Sequence, residues 1–367
     1  SQTELAASGS FGDSLINGLK GEYGYFYDAL GGGFRFGLNT IIKLPENKIN
    51  IKDVVYEDLI KLNDYYGFKN NYDTEFINII GSIGDKSYFR TSVSIDAPSI
   101  PIQYFNRINS NSISYKSYSN NPFLNNKNRG LGINTEYSYG NKKFMFGLHD
   151  TGKQTGLFIS DTNNSQTISS AYVQKNKYID HLAIISGLMI EEETLFGAKQ
   201  SGAVGLDGIN PKSFFTGLDI EKNINEELTF KLNGTLARTR INNPDRSLIH
   251  SYSPITSSSF NFLINKKNIL NQNDMLDISI GQPNRIENGT MKFKIQELAD
   301  IEGNIDYHLK NINLEPSGRQ VDLSLNYIQK VSKNFIFGIK NTFSRDLNHY
   351  NDSNINHLIT TSVSIKF

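Results

Sequence analysis

Apolar and polar residues alternate one by one over long stretches of this chain, most cleanly from Arg319 to Phe367. Val321, Leu323, Leu325 and Tyr327 share one side of a period of two, and Gln320, Asp322, Ser324 and Asn326 the other. Phe335, Phe337, Ile339 and Phe343 oppose Asn334, Gly338, Lys340 and Thr342 in the same way. Ile355, Ile359, Val363, Ile365 and Phe367 oppose Asn356, Thr360, Ser362, Ser364 and Lys366. That period belongs to strands with one apolar and one polar face. An amphipathic strand ending on an aromatic, Phe367, fits a transmembrane barrel whose last strand closes against its first.

Upstream the pattern continues strand after strand. It predicts strands at 74–82, 87–95, 131–139, 142–149, 167–176, 179–189, 213–221, 226–239, 256–265, 275–282, 288–296, 304–311, 319–329, 333–345 and 355–367, with a weaker one near 111–119. Leu228, Phe230, Leu232 and Leu236 oppose Thr229, Lys231, Asn233 and Thr235, and Phe144, Phe146 and Leu148 form another apolar face. Nearer the start, Glu22–Tyr27 and Phe34–Ile42 read as strands around the Gly31-Gly32-Gly33 turn. Residues 51–66 read as a helix, and residues 1–20 as a linker or short helix with Leu5, Phe11, Leu15 and Leu19 at helical spacing. Strands do not alternate with long amphipathic helices, which argues against an α/β fold.

Short links at 330–332, 297–303, 266–274, 222–225, 177–178, 140–141 and 83–86 alternate with polar ones at 346–354, 312–318, 283–287, 240–255, 190–212, 150–166 and 96–130. The polar links are the longer set, except 283–287. Short turns on one side and long loops on the other are the arrangement of an outer-membrane barrel. The expectation is an all-β, antiparallel up-and-down transmembrane barrel of 12–16 strands, an even number preferred, over residues 21–367, with residues 1–20 as a linker or plug.

Composition narrows the functions. The 367 residues carry 37 Lys+Arg against 37 Asp+Glu, so no net charge favours nucleic acid. Mean hydropathy is −0.41. No run approaches the roughly 20 apolar residues of a spanning helix, whereas half-polar barrel strands are compatible with such an average. The aromatics are 19 Tyr and 23 Phe, and the absence of Cys excludes disulfides and thiolate chemistry. Ser1-Gln2-Thr3-Glu4-Leu5 has neither the basic nor the apolar region of an export signal, so an exported chain would be a piece of something longer.

Several blocks carry a resemblance. Gln282-Pro283-Asn284-Arg285-Ile286-Glu287-Asn288-Gly289 and Leu314-Glu315-Pro316-Ser317-Gly318-Arg319-Gln320-Val321-Asp322 resemble two successive segments near the end of subtilisin-like, S8-family autotransporter proteins of Gram-negative bacteria. Asn348-His349, the Phe196-Gly197-Ala198 to Gly202-Ala203 stretch ahead of Phe214 and Phe215, and Ser10-Phe11-Gly12-Asp13-Ser14-Leu15 resemble further blocks of that family in the same order. Asn284 and Gln320 depart from it, standing where the family has an apolar residue and an acid. The resemblance implies the C-terminal barrel that anchors or translocates an upstream protease, no catalysis in this chain, and no metal or cofactor. Its partners would be outer-membrane lipid, the barrel-assembly machinery and its own upstream passenger, with Phe367 as assembly signal. The family-motif residues are Gln282, Pro283, Arg285, Gly289, Pro316, Gly318, Arg319, Asp322 and His349.

Other chemistry is spelled in fragments. Gly12-Asp13-Ser14-Leu15 with Asp346-x-x-His349 spells the nucleophile and base blocks of GDSL esterases, but that chemistry needs a nucleophile on a parallel α/β sheet. The subtilisin Asp, His and Ser blocks are absent. The histidines His149, His181, His250, His308, His349 and His357 include no i, i+4 metal pair, and His149-Asp150 is the nearest approach to a loop dyad of omptin type. Arg285 with Glu287, and Arg319 with Asp322, read as structural ion pairs or a lumenal charge ladder. Gly318 reads as a backbone conformation closed to other residues. A β accessory domain, membrane-associated or soluble, an outer-membrane esterase using Ser14, and a diffusion porin are the rival readings.

Overall fold

The computed structural model describes residues 5–6, 9–27, 33–40, 42–43, 74–82, 87–95, 101, 123, 131–150, 164–196, 198–199, 206, 208–244, 247–297, 304, 306–332, 335–351 and 354–365. The predicted helix at 51–66, the weak strand near 111–119 and Phe367 lie outside them. The chain begins with a short strand β1 (Leu5–Ala6), helix α1 (Gly9–Gly18), and a hairpin of β2 (Tyr23–Tyr27) and β3 (Gly33–Gly37); β4 (Ile42–Lys43) pairs in parallel with β1.

The rest is dominated by one wall. Strands β5 (Thr74–Ser82), β6 (Ser87–Ile95), β7 (Leu131–Tyr139), β8 (Lys142–Asp150), β9 (Asn164–Gln174) and β10 (His181–Glu192) each pair antiparallel with the next. After the two-residue strands β11 (Thr194–Leu195) and β12 (Ala198–Lys199), the wall continues through β13 (Lys212–Asn223) and β14 (Leu228–Arg240). It passes over β15 (Ile249–Tyr252) to β16 (Ile255–Lys267) and β17 (Asp274–Asn288), and over β18 (Thr290–Gln296) and β19 (Tyr307–Asn313) to β20 (Val321–Lys330), β21 (Phe335–Arg345) and β22 (Ile355–Ile365). The result is a 13-stranded up-and-down antiparallel sheet with β5 and β22 at its edges. Those edges do not pair with one another among the described residues, and the strands described there number 13, where an even number was preferred for the whole barrel.

The predicted strands at 288–296 and 304–311 are β18 and β19. They leave the wall and form a three-stranded sheet with β15. Period-two alternation marks a strand but does not say which sheet it joins. This placement also explains the one irregular link in the sequence: 283–287 is no connection, because β17 runs on to Asn288. Residues 289–320 are instead one long connection that carries a hairpin. With that change, short and long connections alternate along the wall without exception.

The short turns are built from local chemistry. The Asn225 side chain accepts hydrogen bonds from the backbone N–H groups of Glu227 and Leu228, and Asn176 does the same for Tyr178 and Ile179. The Asp274 carboxylate gathers the N–H groups of Ile269, Leu270 and Asn271. Gly140 has φ +56°, the left-handed conformation that the tight β7–β8 turn requires.

The two faces of the wall have inverted polarity. One face is exposed and apolar: Leu131, Ile133, Phe144, Phe146, Ile184, Leu218, Leu232, Leu236, Ile278, Ile280, Leu323, Ile339 and Ile359 stand on it. The other is covered and polar: Asn134, Thr167, Ser213, Asn233, Thr235, Asn261, Ser279, Ser324 and Thr342 are almost completely buried. A water-soluble sheet buries its apolar face instead. At the long-connection end, the small sheet and α1 enclose an ordinary hydrophobic core of Leu15, Leu19, Ile249, Met291, Phe293, Ile295, Ile312 and Leu314, joined by the last inward residues of the wall, Ile255 and Ile286. Gly18 lets α1 lie directly on Ile312, since a Cβ there would collide with that side chain. Lys310 on β19 donates to Glu22 just after the helix at 2.7 Å.

Candidate functional site

The residues singled out in the two family-like segments come together where β17 passes the rim. On β17 the exposed apolar band ends at Ile280, and the cluster lies beyond it on the long-connection side. Two register shifts between β16 and β17 let the strand turn there, after Thr256 and after Ser258. Arg285 is the hub. Its Nε donates to the Gly318 carbonyl at 3.0 Å, and one terminal nitrogen donates to the Ile286 carbonyl at 3.3 Å and to Glu287 at 2.7 Å. The other donates to Glu315 at 3.2 Å and to the Pro316 carbonyl at 3.0 Å. All five N–H donors of a buried guanidinium are thereby used.

Arg319 grips Glu287 from the other side with two parallel hydrogen bonds of 3.0 and 2.7 Å and also donates to Gln282. Ser258 adds a hydroxyl donor to Glu287 at 2.6 Å. Burial alone would raise the Glu287 carboxyl. Hydrogen bonds from Arg319 and Ser258, and the charges of Arg285 and Arg319, outweigh it and hold the group at about 2.

The return loop is locked to the same place. Asp346, Asn348 and His349 have φ of 49°, 58° and 62°, a left-handed run rare for non-glycine residues. It is held because Gly318 N–H donates to the His349 carbonyl at 2.9 Å, Asn348 N–H to the Gln320 side chain at 2.7 Å, and Arg319 N–H to Asp346 at 3.3 Å. His349 Nδ1 accepts the Gln320 N–H at 3.0 Å, and Nε2 donates to the Asn284 carbonyl at 3.0 Å. Burial pushes this imidazole down to about 4; the Arg285 and Arg319 charges add to that and the Asn284 hydrogen bond opposes it.

The arrangement thus joins Gln282, Arg285, Pro316, Gly318, Arg319 and His349 into one clamp across three chain segments. Pro283 is buried in the bulged part of β17, and Gly289 accepts the Leu314 N–H at 2.9 Å through its carbonyl while lying close to Ile255. Two expectations are corrected. Arg319 pairs with Glu287 and not with Asp322, which takes the Gln320 amide instead, at 2.9 and 3.0 Å. Gly318 is needed for closeness rather than conformation: its φ is ordinary, but a Cβ would stand 2.7 Å from the Asn351 nitrogen.

Candidate catalytic groups separate. Ser14 lies buried within α1, and neither His349 nitrogen is left over to serve it as a base. His149 and Asp150 are neighbours in β8, so they point to opposite faces; His149 is buried and Asp150 receives Gln166 at 3.1 Å. Among the described residues, no group of three or more His, Asp or Glu could hold a metal ion.

The polar face of the wall holds what sequence reading missed. Lys231 faces Asp219 at 3.3 Å with His181 3.7 Å away, and Glu136 receives Lys143, Tyr88 and Ser138 at 2.8, 2.6 and 3.0 Å. These positions follow from period two, but their pairing needs the cross-strand register. A second group is apolar. Phe215 lies over Gly187, where any side chain would collide with its ring. Phe123, from the β6–β7 connection, stacks on Phe215 at 5.6 Å and 19°, and meets Phe196 edge-on at 5.8 Å. Phe123 is thus buried against the inner face with Met145, Ala171, Ile185 and Met189.

No family model matches this chain, and no curated protein matches it. Among solved structures it is similar to OmpT (in-vitro folded), an outer membrane protein of Vibrio cholerae, at 6% identity and a TM-score of 0.43, over 78% of this chain and 85% of that one. No helix among the described residues is long and apolar enough to cross a membrane, which has no bearing on crossing by strands.

Proposed function

We propose that this chain is an outer-membrane β-barrel that anchors or translocates an upstream passenger, a subtilisin-like serine protease. The observation that carries the membrane reading is the inverted wall. Its apolar face is exposed on strand after strand and its polar face is buried. In water that exposure far exceeds the few hundred Å² a soluble monomer tolerates as a patch. In lipid it is the stable arrangement, and antiparallel pairing satisfies the backbone groups of the wall between its two edge strands. The passenger rests on the two family-like segments, whose residues converge on the rim clamp. On this reading the chain does no bond chemistry; the clamp fixes the rim, the barrel-assembly machinery inserts the wall, and the short turns face the periplasm. The engagement of both His349 nitrogens speaks against the esterase alternative at Ser14.

Expression without detergent tests the membrane part. The expected product is aggregated until it is folded into micelles or vesicles, and then shows a band on unheated gels that shifts on boiling. A monodisperse folded monomer in plain buffer would make it a soluble accessory domain. The passenger part is tested by fusing a subtilisin-like domain ahead of Ser1 and assaying protease at the surface of intact cells; activity confined to the periplasm counts against it.

A further inference from the structure

On the exposed face of β13 and β14, apolar side chains give way to cations at the long-connection end. Along β14 the outward positions are Leu232, Gly234, Leu236, Arg238 and Arg240; along β13, in register, they are Ile220, Leu218, Thr216, Phe214 and Lys212. Lys212 stands directly opposite Arg240, and Arg238 opposite Phe214, so three positive side chains share one patch. All three are exposed, as is Phe214 at 57%. None has an ion-pair partner among the described residues. Glu287, on the far side of β16, is already saturated by Arg285 and Arg319.

Like charges directly opposite on a sheet repel, so three cations are unfavourable beyond what one outward acid offsets, Glu192, two positions past Ile190, the β10 partner of Lys212. Its height indicates what neutralises it. At about 3.3 Å per residue, Arg238 and Arg240 stand roughly 7 and 13 Å beyond Leu236 along the strand. With the roughly 40° tilt of barrel strands this is about 5 and 10 Å along the membrane normal, which on the membrane-barrel reading reaches the polar interface flanking a hydrocarbon core of about 30 Å. Barrels carry aromatic girdles at their interfaces, and the exposed Phe214 stands among these cations.

We propose that Lys212, Arg238 and Arg240 form a seat for the phosphate of an anionic lipid headgroup in the leaflet on the long-connection side. The proposal rests on the membrane-barrel reading. Two guanidinium forks and a Lys would chelate phosphate oxygens while the acyl chains lie along Leu236, Leu232 and Leu218.

The test titrates purified protein in uncharged dodecyl maltoside micelles with phosphatidic acid and counts bound lipid by native mass spectrometry. Wild type is expected to retain the lipid. Each of Lys212→Gln, Arg238→Gln and Arg240→Gln is expected to weaken retention about fivefold, from the worth of one cation at an anionic surface. Arg345→Gln, a rim cation elsewhere on the wall, should bind as wild type does. The single variants replace exposed side chains, and an unchanged heat-shifted gel band verifies their fold. Equal retention by wild type and all three variants overturns the seat. Competition by inorganic phosphate at matched concentration also overturns it, and assigns the patch to soluble anions. A protein that stays folded and monodisperse without any detergent fails the barrel reading itself, a result separate from either binding outcome.

Discussion

Arg285 has five N–H donors, and the fold supplies an acceptor for each. Arg285→Met removes the charge at similar length and leaves Glu287 facing Arg319 alone, with two loop carbonyls unsatisfied. The expected cost is about 1–3 kcal/mol, the range for leaving buried acceptors without a donor, because Arg319 and Ser258 still hold Glu287; it is read as a lowered denaturant midpoint in micelles. Arg285→Lys should recover only part, since one ammonium cannot reach acceptors spread over Gly318, Pro316 and Glu315. Two protonation windows follow from the same cluster. His349 is depressed in the fold, so its contribution is complete above about 6.5 and is lost as pH falls toward about 4. Glu287 is also depressed, so its contribution is complete above about 4.5 and is lost as pH falls toward about 2. Melting temperature against pH should therefore fall in two stages. His349→Asn should flatten the upper stage and Glu287→Gln the lower. The sequence displayed Arg319 and Asp322 three positions apart and invited their pairing. It could not display Glu287 as the partner, because that contact spans 32 positions and depends on how the chain returns over β17.

Among the elements, wall strands and turns were the most legible. Alternation and link length located them; the structure adds that Asn225, Asn176 and Asp274 close the turns through side-chain hydrogen bonds to near neighbours. The hairpin of β18 and β19 was legible as strands but not as a departure from the wall. Met291, Phe293 and Ile295 alternate as wall residues do, yet their apolar side turns to a water-excluding core instead of to lipid. The β6–β7 connection was silent about Phe123, since a single aromatic carries no period. Its burial makes a clean prediction in a chain without cysteine. Phe123→Cys should resist a charged maleimide in folded protein and react fully after denaturation. Labelling at equal rates in both states would mean that the residue does not dock against Phe215. Gly187→Val should displace the Phe215 ring and with it the Phe123 stack, so the double variant Gly187→Val/Phe123→Cys should label faster than Phe123→Cys alone.

At the scale of the whole molecule, the up-and-down fold was readable because it depends only on strand order and the alternation of short and long links. Face polarity makes the sharpest prediction here. Leu232→Arg places a charge on the exposed apolar face and should cost about 2–4 kcal/mol in vesicles, the range for a lipid-facing arginine near the midplane. Asn233→Ala, one residue on and facing the other way, should cost less; the comparison is read from urea midpoints in the same vesicles. Strand parity was not readable, because β18 and β19 resemble wall strands in everything but partner.

Parity has a geometric consequence for the two open edges. With the 13 wall strands among the described residues alternating in direction, β5 and β22 both run from the long-connection end toward the short turns. If those edges met, they would meet side by side in the same sense. Their hydrogen bonds would slant and be evenly spaced, unlike the paired rungs everywhere else in the wall, and the contact would be slightly weaker per residue. Such a join would be the line along which the cylinder is easiest to unzip, and hydrogen exchange in lipid should be fastest along β5 and β22.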